Sequence, residues 1–162
     1  MAKIWTPLRT WTTGEVATAA MFNAQLRDNL DYTGDIAYVE FTADVTVTGT
    51  AFVDVVSSGA ITYAVTPIII EFYSRAAVVG GAGGMTLNLR DSTTDLGAFL
   101  GLSTSTTADG IYVARKLTPS AGPHTYIISA QNLLSQTSSV KAGAGGAGNY
   151  MPGFIRIRGV PS

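Results

Sequence analysis

Residues 43–48 read Ala-Asp-Val-Thr-Val-Thr. In an extended chain successive side chains point to opposite faces, so Val45 and Val47 share an inward side while Thr46 and Thr48 face water. That period of two carries on through most of the chain beyond Thr48. Gly49 punctuates it, Thr50–Val56 makes a strand, Ser57-Ser58-Gly59 offers a turn, and Ala60–Val65 returns. After Pro67, residues 68–75 read Ile-Ile-Ile-Glu-Phe-Tyr-Ser-Arg, the most apolar stretch, which fits a central strand buried on both faces. Glu71, Tyr73 and Arg75 fall on one face of it, and a satisfied Glu–Arg pair is the expectation there, with a binding site as the alternative.

Further along, Gly80–Gly84 is a flexible loop, and Met85–Arg90 alternates with Met85, Leu87 and Leu89 on one side. Asp91–Asp95 turns, Leu96–Ser103 continues as a strand, and Ser103–Asp109 is a polar loop. Ile111–Leu117, His124–Ala130 and Phe154–Arg158 supply three more strands. They are separated by the Pro119–Pro123 bend, the polar Gln131–Ser139 stretch and the Gly-Ala-rich Lys141–Tyr150. Short strands with frequent turn signals and no second helix predict a mainly β chain, an antiparallel β-sandwich of jelly-roll-like type.

Ahead of the sandwich the pattern differs. Residues 1–14 read as an extended arm holding Trp5, Pro7 and Trp11, and two large apolar rings suit a segment that lies on another surface or tucks back against the chain's own domain. A short amphipathic helix follows, starting near Glu15 or Thr18. Thr12-Thr13-Gly14-Glu15 offers a capping box and Thr18 a later N-cap. Val16, Ala19, Phe22, Leu26 and Leu30 recur at helical spacing and give one apolar stripe. A single helix of this length is marginal in water, so the stripe must dock, on a neighbouring molecule or on the chain's own sandwich. Tyr32-Thr33-Gly34-Asp35 marks the boundary between 1–34, arm and helix, and 35–162, the sandwich.

The stretch from Trp11 to Leu30 has the order W-x-x-G-E-x-x-T-A-A-x-x-N-x-x-x-R-D-N-L. This resembles the N-terminal segment of bacteriophage virion proteins, minor tail and head-associated components among them, over roughly the first thirty residues of the chain. The resemblance implies a non-enzymatic structural protein of the virion, made in the host cytoplasm, whose first segment is an attachment or oligomer contact. Trp5, Trp11, Phe22, Leu26 and Leu30 are the expected contact residues. Partners would be further copies of itself, assembled through the β-sandwich and the N-terminal arm as a homotrimer by analogy with phage β-appendages, and a tail protein or the major capsid protein. Two alternatives stand beside it. One is a capsid decoration protein stabilising the shell. The other is a receptor- or carbohydrate-binding module of a tail tip, recognising a host-surface glycan through aromatics such as Tyr112 or Tyr150.

Composition narrows the chemistry. Charged residues make up only 13% of the chain, against about 25% in typical domains, which points to surface covered by other subunits, with a neutral, Thr-rich extracellular surface as the alternative. The net charge of −1 leaves no basic footprint for nucleic acid. There is no cysteine, hence no disulfide or thiolate metal site. No apolar run is long enough to span a membrane, and the opening residues lack the apolar region of a signal peptide.

Gly143–Gly148 matches the letters of G-x-G-x-x-G, but Asn149-Tyr150-Met151-Pro152 comes next, where a helix would have to open. His124 is the single histidine and has no Gly-x-Ser-x-Gly elbow to serve. Asp91–Asp95 and Thr107-Ala108-Asp109 are too sparse in oxygen ligands for calcium. Glu40, Asp44 and Asp54 show no spacing that pairs two carboxylates for glycoside hydrolysis. No cofactor, metal or catalytic residue is therefore expected.

Overall fold

A computed structural model describes residues 5–103 and 109–161. The expected loop after Ser103 and the Thr107-Ala108 part of the calcium candidate lie outside the described residues. Ten strands follow a short helical segment: β1 (Asp35–Phe41), β2 (Val45–Thr48), β3 (Val53–Tyr63), β4 (Ile68–Val78), β5 (Met85–Asp91), β6 (Thr94–Leu102), β7 (Asp109–Leu117), β8 (Gly122–Asn132), β9 (Thr137–Lys141) and β10 (Gly153–Gly159).

The pairing is nested. β1 pairs with β10, β2 with β9, β3 with β8, β4 with β7 and β5 with β6, all antiparallel. Each strand thus meets the one equally far from the other end of the series, as when one long hairpin is rolled up. The result is two facing sheets, one of six strands and one of four in the order β3-β8-β5-β6. In the larger sheet β4 is central, with β7 along one side and β10 and then β9 along the other. The fold is an antiparallel β-sandwich of jelly-roll topology.

Alternation supplies the core. Ile68, Ile70 and Phe72 of β4, Ile155 and Ile157 of β10, and Met85, Leu87 and Leu89 of β5 are all fully buried between the sheets. Fully burying side chains of this size stabilises a fold by about 1.5–3 kcal/mol each. Tyr63 and Tyr126 meet edge to face at 5.8 Å in the same layer.

Two local readings change, and one open choice is decided. Ser57-Ser58-Gly59 is a β-bulge inside the continuous β3, not a turn. Gly59 takes φ +71° there, and the Ser58 hydroxyl accepts the Tyr126 N–H at 3.0 Å, so the extra residue is absorbed without breaking the ladder. Gln131–Ser139 is not a loop throughout, because β8 runs to Asn132 and β9 starts at Thr137. The helix starts at the later of its two candidate caps, where the Thr18 hydroxyl accepts the Met21 N–H at 3.3 Å. Upstream, Thr12–Glu15 forms only a turn, with Gly14 at φ +84°.

The helical segment is α1 (Ala19–Phe22), a π-helical turn Asn23–Arg27, and α2 (Asp28–Thr33). Tyr32 anchors it to the sandwich: the ring is fully buried and its hydroxyl donates to the Pro67 carbonyl. Gly159 passes directly against it, and a Cβ there would sit 2.4 Å from the Tyr32 ring. No helix among the described residues is long and apolar enough to cross a membrane.

Candidate interaction surfaces

The arm returns along the helix and is held by two side-chain amides one turn apart. Asn29 accepts the Thr6 N–H at 2.8 Å and donates to the Thr6 carbonyl at 2.9 Å. Gln25 accepts the Arg9 N–H at 2.9 Å and donates to the Pro7 carbonyl at 3.1 Å. Each amide serves both polar groups of an extended backbone, as a neighbouring strand would. Residues at i and i+4 share a helix face, so the pair fixes the arm's direction as well as its distance. The Arg9 side chain folds back, pairing with Glu15 and lying 5.3 Å above the Trp11 ring.

This arrangement collects the five expected contact residues on one side of the molecule. Leu8, Trp11, Phe22 and Leu26 line a pocket of about 370 Å³, with the Trp11 and Phe22 rings 6.0 Å apart. Trp5, Leu8, Leu26 and Leu30 line a second of about 280 Å³. Trp5 is half-buried against Tyr32, whereas Leu26 and Leu30 remain 56% and 71% exposed. The stripe does not bury itself on its own sandwich. Leu8, 78% exposed and shared by both pockets, belongs with it and was not singled out by periodicity because the arm has none.

A second surface is the outer face of the six-stranded sheet. The expected Glu71–Arg75 pair is not made. Glu71 instead accepts two hydrogen bonds from the Arg158 guanidinium, at 2.7 and 3.1 Å, and one from the Tyr112 hydroxyl at 2.6 Å. The register explains it: Arg156 is the direct neighbour of Glu71 and Arg158 the diagonal one. Arg75 lies over the Tyr150 ring. Burial works to raise the Glu71 pKa, but the bonds from Arg158 and Tyr112 outweigh it and hold the carboxyl below its ordinary value. The same bond raises the Tyr112 pKa, with burial adding to it. Arg156 pairs with Asp35 at 2.5 Å, and Tyr38 donates to Glu40 at 2.9 Å.

The isolated histidine is engaged. Its Nδ1 lies 2.5 Å from Asp91, and its Nε2 lies 3.2 Å from the Ser120 hydroxyl and 3.0 Å from the Ser120 carbonyl. Sequence pattern did not bring these three residues together. The Ser120 carbonyl competes with the hydroxyl for the ring nitrogen, and the cluster ties the bend before β8 to the β5–β6 hairpin. The other candidate carboxylates are dispersed: Asp44 pairs with Lys141, Asp54 with Arg90, and Asp95 accepts from Asn88. Gly143–Gly148 closes on itself through Gly145 N–H to the Tyr150 carbonyl at 2.9 Å and leads into β10, not a helix. Among the described residues no group of three or more His, Cys, Asp or Glu side chains is placed to hold a metal.

No family model and no curated protein sequence matches the chain. Among solved structures it is similar to the EclA C-terminal domain, a sugar-binding protein, at 13% identity and a TM-score of 0.46, over 94% of this chain and 100% of that one.

Proposed function

We propose that the chain is a non-enzymatic structural protein of a bacteriophage particle, held to its neighbours by the arm–helix face and assembling as a symmetric oligomer, a trimer by analogy with phage β-appendages. The observation that carries this is the unburied apolar surface of Trp11, Phe22, Leu26 and Leu30, kept in place by a dedicated pair of amide clamps. Hydrogen-bonding an arm to a helix so that Leu8, Leu26 and Leu30 face water together makes sense when another protein covers them. The resemblance of residues 11–30 to virion proteins supplies the location, tail or capsid, and leaves shell decoration within the same reading. The test is the protein content of purified particles of the phage or prophage that encodes the chain. The chain should be present in them, in copies divisible by three. Its absence from intact particles overturns the proposal.

A second reading, glycan recognition by the same appendage, is favoured by the exposure of Tyr112 and Tyr150, each 60% accessible, on or beside the outer face of the large sheet.

A further inference from the structure

The outer face of the six-stranded sheet is built differently from the arm–helix face. Its middle row runs Tyr38, Arg156, Glu71, Ala114 across four strands, as the registers place them side by side. Tyr112 stands in the adjacent row, opposite Tyr73, and its hydroxyl reaches diagonally to Glu71, so the phenol is tethered at its polar end. Glu71 is only 5% exposed and is itself gripped by Arg158, which makes the tether rigid. Tyr112 is nonetheless 60% exposed. A ring locked at its polar end while its apolar body stays open is preorganised to be stacked upon. Tyr38, 48% exposed and packed on Phe154 at 5.2 Å, stands at the other end of the row.

We infer that this face binds a short neutral oligosaccharide, with Tyr112 and Tyr38 stacking on pyranose rings and the Arg156 and Arg158 guanidinium groups donating to hydroxyls between them. Three strand spacings separate β1 from β7, about 14 Å at the usual 4.7–4.9 Å between strands, which calls for several linked sugar rings and not one. The neutral ligand is set by charge: Arg156 and Arg158 are matched by Asp35 and Glu71, so the floor carries no net charge to attract a polyanion. The carboxylates of Asp35 and Glu71 in that floor are of the residue types depleted from the cores of protein–protein interfaces. Aromatic walls around a polar floor instead suit a ligand with apolar C–H faces and hydroxyl edges.

The inference rests on the glycan reading and names its site, and calorimetric titration of the full-length protein with neutral hexose oligosaccharides of three to five units separates the two. The expected result is measurable binding by the unaltered chain. Tyr112→Ala should then weaken it at least tenfold, Tyr38→Ala less, and Tyr112→Phe, which keeps the ring but loses its tether to Glu71, by an intermediate factor. Thermal melts of each variant confirm that the sandwich is intact, as expected for exposed side chains. Binding that is indifferent to both tyrosines overturns the site and leaves the glycan reading standing. Failure of the unaltered chain to bind any of these sugars overturns both. If Tyr112→Ala abolishes self-association instead, the face is a contact between copies and the inference falls.

Discussion

Glu71 shows how one residue can be buried, charged and stable at once. A carboxylate facing outward from a sheet yet nearly inaccessible would be costly alone; here one guanidinium and one phenol complete its hydrogen bonds. Its folded-state pKa lies below the ordinary value of 4.5, so the unfolded chain takes up the proton first as pH falls. The stability it contributes is therefore fully present above pH 4.5 and lost as pH falls through the lowered folded value. Urea unfolding should show Glu71→Gln less stable by about 1.5–3 kcal/mol at pH 7, the range for hydrogen bonds to charged groups, and the gap should narrow as pH falls below 4.5 toward pH 3. A gap that persists unchanged at pH 3 would mean that packing, not charge, sets the cost. Tyr32 makes a second test. Tyr32→Ala removes a fully buried ring and should cost about 3–5 kcal/mol, read as a lower unfolding midpoint. Tyr32→Phe, which loses only the bond to the Pro67 carbonyl, should cost about 0.5–1.5 kcal/mol.

Among the elements, the arm depends on the helix more than the sandwich depends on the arm. Gln25→Ala combined with Asn29→Ala removes both clamps while touching no residue of the core cluster. Hydrogen exchange should then show residues 6–9 exchanging as an open chain, with the protection of β4, β5 and β8 unchanged. Loss of protection in those strands would show that the arm braces the sandwich directly. The elements also differ in how plainly their sequences announced them. Where inward positions are Val45 and Val47, or Met85, Leu87 and Leu89, the period of two is visible and the strands were placed well. In β9 the inward positions are Ser138 and Val140, and a buried serine breaks the pattern, so a strand read as loop. In β3, Ser57-Ser58-Gly59 has the composition of a turn, and only pairing with β8 distinguishes a bulge from one. The true partner of Glu71 is 87 residues away, beyond any local spacing rule, so the nearer Arg75 stood out instead. The helical stripe was legible, but what it faces was not, because amphipathicity gives a direction relative to the helix and says nothing of what covers it.

For the whole molecule, the nested pairing brings the first and last strands together beside the central one, so the sandwich closes its core only when both ends are in place. That leaves the arm–helix face outside the closed unit, and its apolar residues contribute little to folding. In the proposed function their contribution is made between molecules. At about 25 cal/mol per Å² of apolar area, a few large side chains from each subunit favour association substantially. An aspartate placed there would be desolvated without a partner, which costs more than the lost leucine contributes. Light scattering of the unaltered chain should therefore give a mass near three times 16.9 kDa, while Leu26→Asp combined with Leu30→Asp should run as a monomer. Because both leucines are exposed and neither belongs to the core, the doubly substituted chain should keep the circular dichroism and melting temperature of its own subunit fold. An assembled mass that survives both substitutions would move the contact off this face. A monomer in both cases would mean that the leucines are covered only on the particle, which the double variant should then fail to join.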